Sequence, residues 1–214
     1  MKSKEQVSTI IAALKTLYPD ALCSLDYEKD YELLFSVRLA AQCTDARVNL
    51  VTPALFARYP TLEAFAAADA DEVGTYIQSC GFWRAKARDI VGSAKMLVER
   101  FGGKVPDNME DLLSLPGVGR KTANLILGDI YGKDGYVCDT HCIRITGRLG
   151  ITDGSKDPLQ VERQLRERIP PKESNNFCHR MVLFGRDTCT ARSPKCEGCP
   201  LAKDCDTAKA ARRG

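Results

Sequence analysis

Leu112-Leu113-Ser114-Leu115-Pro116-Gly117-Val118-Gly119-Arg120-Lys121-Thr122-Ala123-Asn124 lies between two helical patterns, and its reading decides the fold. Asp107 can cap a first helix, Pro116-Gly117-Val118-Gly119 makes a tight turn, and a second helix starts near Gly119 or Arg120. The product is a helix-hairpin-helix. Glycines let the backbone approach a phosphate, and the N–H groups opening the second helix, aided by its dipole, supply donors for an anion. Such a hairpin grips a nucleic-acid backbone and does not read bases. A nucleotide P-loop is the competing reading of Gly-Val-Gly-Arg-Lys-Thr, but Arg120 interrupts the motif and a helix, not a strand, precedes the turn.

Outward from the hairpin, apolar residues recur at helical spacing: Ile10, Leu14 and Leu17; Leu33, Leu34, Val37 and Ala41; Ile90, Ala94, Leu97 and Phe101. Strand-like alternation is scarce. Pro19, Pro60, Gly102-Gly103 and Pro170-Pro171 punctuate the pattern, which predicts an all-α chain of about ten short helices. With 214 residues, 44% of them hydrophobic, one or two domains with a sizeable core are expected. Domain boundaries are expected in short turns near Cys23-Ser24 and Lys133-Asp134-Gly135.

Toward the C-terminal end stands Cys189-x6-Cys196-x2-Cys199-x5-Cys205. One close pair flanked by single cysteines on longer arms suits the wrapping of a four-iron, four-sulfur cluster, with a zinc site and a disulfide pair as the weaker alternatives. Cys23, Cys43, Cys80, Cys138, Cys142 and Cys178 read as reduced packing residues. Met1-Lys2-Ser3-Lys4-Glu5-Gln6 leads into an amphipathic pattern, so neither a signal peptide nor a membrane span is expected, and the location expected is cytoplasmic.

A net charge of +3 says little about a polyanionic partner, but its distribution says more. Arg84, Lys86 and Arg88, then Arg120 and Lys121, Arg144 and Arg148, and Arg180, Arg186, Arg192 and Lys195 form local positive groups. Gathered on one face they would make a phosphate-binding footprint; otherwise they are solvated helix faces. Lys121 follows the hairpin, and Val137-Cys138-Asp139-Thr140-His141 reads as a loop entering a helix. A desolvated lysine amine is a nucleophile that forms Schiff bases, and a carboxylate such as Asp139 can accept its proton and stabilise positive charge on a sugar ring. The alternatives are a phosphate contact for Lys121 and a plain N-cap for Asp139.

Leu115 to Ala123, Val137 to His141 and the four spaced cysteines together resemble the endonuclease III family, bifunctional DNA glycosylases of the helix-hairpin-helix superfamily. The similarity extends over essentially the whole chain, including Ala41-Gln42-Cys43-Thr44-Asp45 and Gly81-Phe82-Trp83. It implies two helical domains flanking a DNA-binding cleft. One spans 24–133 and carries the hairpin (about 107–131); the other is discontinuous, 1–23 with 134–214, and carries the cluster loop 189–205.

The resemblance also implies an activity, on double-stranded DNA containing damaged pyrimidines or abasic sites. A damaged nucleotide is extruded, Lys121 attacks C1′ and displaces the base, and β-elimination cuts the strand, with Asp139 activating the amine. Gly117, Gly119, Arg120 and Thr122 would contact DNA at the hairpin, and Arg192 and Lys195 in a basic loop held by the cluster on Cys189, Cys196, Cys199 and Cys205. Gln42 matches a glutamine that fills the gap left by extrusion. Phe82 stands where a leucine wedge is usual, and Trp83 where tyrosine is common, so opposite-base preference is open; a hydrophobic staple is the alternative for Phe82. His141 is expected to make an orienting hydrogen bond. The rivals are a monofunctional mismatch or adenine glycosylase of the same superfamily, against which Lys121 argues, and a non-catalytic iron-sulfur DNA-binding module. Nothing demands an oligomer, and a monomer is expected.

Overall fold

Many helix starts in this chain are written by capping residues, and the computed structural model, which describes residues 1–211, shows them in use. Ser3 and Gln6 form a reciprocal capping box on α1 (Lys4–Leu17). α2 (Asp30–Leu39) follows Lys29; Thr44 caps α3 (Asp45–Arg58), Thr61 caps α4 (Leu62–Ala66) and Asp69 caps α5 (Ala70–Ile77). A 3-10 turn, Gln78–Cys80, then leads to α6 (Trp83–Phe101), which Gly102 ends in the left-handed conformation. The hairpin helices are α7 (Met109–Ser114) and α8 (Arg120–Asp129). Beyond them run α9 (Thr140–Leu149), α10 (Pro158–Arg168), α11 (Pro171–Asp187) and α12 (Asp206–Ala211).

No strand occurs among the described residues, so the fold is all-α. Among the described residues, twelve α-helices stand where about ten were expected. The five-residue α4 and six-residue α12 are too short to display a helical period in sequence. α2 also stops at Leu39, so Ala41 is an exposed turn residue and not the end of an apolar stripe.

The chain divides into two compact units, Cys23–Tyr131 and Met1–Leu22 with Gly132–Gly214. In the first, α6 is the spine: α4 and α5 lie against it, α2 touches it and also α3 and α8, and α7 pairs with α8. Phe35 and Phe65 meet edge-on, 5.0 Å between centroids, inside this core, with Leu33, Leu55, Ile77, Ile90 and Leu97 fully buried around them.

The second unit closes the two ends of the chain on each other. α1 packs on α11, and α9 receives both α11 and α12. Val7, Ile10, Ile11 and Leu14 supply α1's buried face. Arg180 of α11, read from sequence as part of a positive surface, is buried instead, and its Nε donates to the Tyr18 carbonyl (3.0 Å) at the end of α1. The Lys2 amide donates to the Gly150 carbonyl, its ammonium pairs with Asp206, and Arg168 donates to the Lys2 carbonyl. Among the described residues, no helix is long and apolar enough to cross a membrane.

Candidate functional site

At the hairpin, Asn108 caps α7, its side chain accepting from the Asp111 amide (3.0 Å), where Asp107 was expected. Asn108 has the extended backbone an N-cap requires; Asp107 precedes it by one residue. The turn closes through Gly117 at φ +71°, and Gly119 precedes α8 with no side chain capping that helix. The start of α8 therefore offers its amide donors to an anion. A support sits beneath. Arg38 of α2 pairs with Asp89 of α6 (Nε 2.7 Å, Nη2 2.6 Å), directly where a Cβ on Gly117 would lie, and Ser93 donates to the Pro116 carbonyl (2.9 Å). Arg120 and Lys121 are exposed on the first turn of α8, and Thr122 is half-buried behind them.

The burial expected to activate Lys121 is thus not supplied by its own unit. Its position at the edge of a turn, needed for reach toward a ligand, leaves the amine in water. Asp139, in the other unit, is the N-cap of α9: Oδ1 accepts from the Cys142 amide at 2.7 Å. A carboxylate has two acceptor oxygens, so capping and proton acceptance are compatible. His141 Nδ1 lies 3.2 Å from Arg144 Nη2. Below them Cys142, fully buried, is raised well above an ordinary thiol by hydrogen bonds with Cys138 and Cys178 and by burial, which keeps it neutral and part of the packing.

Gln42 and Phe82 are the two non-glycine residues with positive φ among the described residues, +56° and +47°. Both are exposed, Phe82 by 70%, so Phe82 is no staple. Left-handed backbone is costly for such residues, and strain of this kind concentrates at functional loops. Trp83 behind it is half-buried, its ring lying against α5, where only a glycine, Gly74, leaves room for it; Arg84 stacks on the ring at 4.1 Å. Lys86, grouped in sequence with Arg84 and Arg88, is buried and not part of a positive surface.

Cys189, Cys196, Cys199 and Cys205 line one pocket, walled also by Leu149, Phe184 and Leu201. Burial pushes the Cys199 thiol up, and Cys189, Cys205 and Cys196 push it further, so the other three sulfurs are felt at Cys199. Among the described residues, no three Cys, His, Asp or Glu side chains are gathered as a single metal ion would hold them, while all four thiols line the same pocket. That arrangement fits a polynuclear iron-sulfur group. Arg148 of α9 clips the loop, donating to the Thr190 carbonyl (2.7 Å), the Ala191 carbonyl (2.8 Å) and Cys189 Sγ (3.4 Å), while Arg144 donates to the Cys189 carbonyl (3.0 Å). These two arginines, for which the sequence left a phosphate footprint and a solvated helix face both open, point donors at the loop; their spacing of four on one helix face was the available signal. Arg192 and Lys195 are exposed, the latter 3.9 Å from Asp187.

An all-helical frame, an uncapped Gly-Val-Gly turn between two helices and a pocket lined by four thiols define a helix-hairpin-helix protein with a cysteine-ligated loop. The family model described as "HhH-GPD superfamily base excision DNA repair protein" matches residues 35–171, and that of the "Iron-sulfur binding domain of endonuclease III" matches 189–205. Endonuclease III of Synechocystis sp. is 48% identical over 98% of this chain and 96% of its own, and that of Bacillus subtilis 38% identical over 96% and 94%. The solved structure of a trapped endonuclease III–DNA covalent intermediate superposes with a TM-score of 0.93 at 40% identity over the whole of both chains. A thermostable thymine-DNA glycosylase, 21% identical with a TM-score of 0.84 over 96% of this chain and 98% of its own, shares the fold. The chain belongs to the endonuclease III family; it is a DNA glycosylase with AP lyase activity, and its cofactor is a four-iron, four-sulfur cluster.

Proposed function

We propose that this protein excises damaged pyrimidines from double-stranded DNA with Lys121 as nucleophile, and cuts the strand at the resulting abasic site. The observation that carries the assignment is the exposed Lys121 on the first turn of an uncapped helix, one residue after the amides that suit a phosphate. The base is reached by extrusion of its nucleotide, because C1′ is inaccessible in stacked DNA. The entering nucleotide displaces the water that covers the Lys121 amine in the free protein.

The amine then attacks C1′, the glycosidic bond breaks, and the base departs with its electron pair. Asp139 accepts the proton that the nitrogen sheds, through the oxygen not engaged in capping α9, and its charge stabilises the cationic sugar. Ring opening gives a Schiff base between Lys121 and C1′. Loss of a C2′ proton expels the 3′ phosphate, and water releases the lysine. Gly117, Gly119, Arg120 and Thr122 hold phosphate at the hairpin; Gln42 and Phe82 probe the duplex from their strained turns. Cys189, Cys196, Cys199 and Cys205 would hold the cluster, which cross-links the loop so that Arg192 and Lys195 are presented to the backbone. The protein acts as a monomer in the cytoplasm, on chromosomal DNA.

Borohydride trapping on a duplex with one oxidised pyrimidine tests the reading. A covalent adduct that disappears in Lys121→Gln is expected. Base release by the parent protein without any adduct would overturn the nucleophile assignment in favour of a monofunctional glycosylase.

A further inference from the structure

The two strained, exposed turns share a buried tie. Lys86 is the fourth residue of α6, with 1% of its surface exposed, and its ammonium donates to two backbone carbonyls, Leu39 (2.8 Å) and Cys80 (2.8 Å). Leu39 is the last residue of α2 and stands three before Gln42; Cys80 ends the 3-10 turn and stands two before Phe82. The Lys86 amide also donates to the Phe82 carbonyl (3.1 Å). The Lys86 side chain thus ties the end of the 3-10 turn that leads into Phe82 to the end of the helix that leads into Gln42.

A buried ammonium is an expensive way to fill space, since burial removes its water and carbonyl dipoles compensate only part. Burial indeed lowers the Lys86 pKa, opposed by the nearby Cys43 and Cys80 thiols and reinforced by Arg38. A methionine of similar length would pack in its place without that cost, but could not bond carbonyls. The carbonyls are at the C-terminal end of one helix and the end of a turn, where backbone acceptors have no intrahelical partner. The chemistry of the contact is therefore a cross-brace between two segments, not a charge pair.

We propose that Lys86 is a positioning residue for lesion interrogation: it couples the Gln42 and Phe82 turns so that gap filling and wedging occur as one movement. The inference rests on the reading of Gln42 and Phe82 as duplex probes.

The test uses the cluster-loaded protein and two substrates. Single-turnover base release from a duplex with one oxidised pyrimidine needs both probes, whereas borohydride trapping on a single-stranded abasic oligonucleotide needs no duplex opening. Lys86→Met is expected to lose about 10- to 100-fold in duplex base release and to trap the single strand within about twofold of the parent, as misplacement of positioning groups does. Combined with Phe82→Ala, it should add little to the loss of either change alone. Lys86→Arg, which restores carbonyl donors, should recover part of the duplex activity and covers the case in which Lys86→Met does not fold. Parallel loss on both substrates would reduce Lys86 to a packing role and overturn the proposal, as would unchanged duplex release. If Gln42→Ala and Phe82→Ala both leave duplex release intact, the probe reading itself fails; if they impair it while Lys86→Met does not, the probes stand and the coupling falls.

Discussion

Replacing Gly117 by alanine should damage the hairpin twice over, and the two costs can be worked separately. The residue has φ +71°, where an L side chain costs about 1–2 kcal/mol. The added Cβ would lie 2.6 Å from both Arg38 Nε and Asp89 Oδ2 and 2.8 Å from Arg38 Cδ, so the ion pair beneath the turn must open. Its two side chains are 23% and 26% exposed, and a pair so partly solvated contributes about 0.2–1 kcal/mol. Reduced freedom of the unfolded chain returns about 0.4–1 kcal/mol. The net destabilisation is about 1–2 kcal/mol, measurable as a lower urea midpoint with an unchanged slope. The displaced turn should also weaken binding to a duplex bearing a reduced abasic site and lower the slope of log K against log salt by about one phosphate contact. Gly119→Ala is the matched control: its φ is −101° and nothing lies within 4 Å of the new Cβ, so its stability cost should stay within about 0.5 kcal/mol. Equal stability losses from the two alanines would refute the argument, because only Gly117 has both the left-handed backbone and the ion pair below.

Asp139→Asn keeps a competent helix cap but removes the charge, so thermal stability should hold within about 0.5 kcal/mol while base release falls about 10²- to 10⁴-fold; a parallel loss of stability would make Asp139 merely a cap. Arg148→Ala removes donors to two loop carbonyls and to Cys189 Sγ, and should lower iron per protein and the cluster's visible absorption after mild chelation; retention equal to the parent would show the clip to be dispensable. Gly185→Ala would drive a Cβ to 2.3 Å from His141 Nδ1 and 2.9 Å from Ile145 Cδ1, and should cost about 1–3 kcal/mol by prising α9 from α11, read in denaturant unfolding.

Features fixed by local chemistry were legible in the sequence. Pro116-Gly117-Val118-Gly119 permits few backbone paths between two helices, and Gly102 and Pro170-Pro171 end helices for reasons confined to a few atoms. The cysteine spacing belongs to the same class. What escaped depends on partners distant along the chain. Nothing in Arg84-Ala85-Lys86 says that the lysine turns inward to carbonyls of residues 39 and 80, nor that Arg180 seeks the end of α1, because a cation's destination is set by which backbone acceptors the fold leaves unpaired. Arg144 and Arg148 were seen as positive charge but not as donors to the cysteine loop. The exposure of Lys121 follows from the turn it stands on, while the reasoning from amine chemistry looked for a buried one.

The unit assembled from both chain ends sets an order of events during synthesis. Residues 23–131 contain every helix that their own core needs and can close as soon as they leave the ribosome. α1 emerges before that unit, yet α11, the helix it packs on, is made after it, and the Tyr18 carbonyl at the end of α1 waits for Arg180, 162 residues later. For that interval Val7, Ile10, Ile11 and Leu14 lack the cover that α11 gives, and exposed apolar surface of this kind is what chaperones hold. The thiol loop follows α11, so the nascent chain completes its cysteine set only after α1 has found shelter.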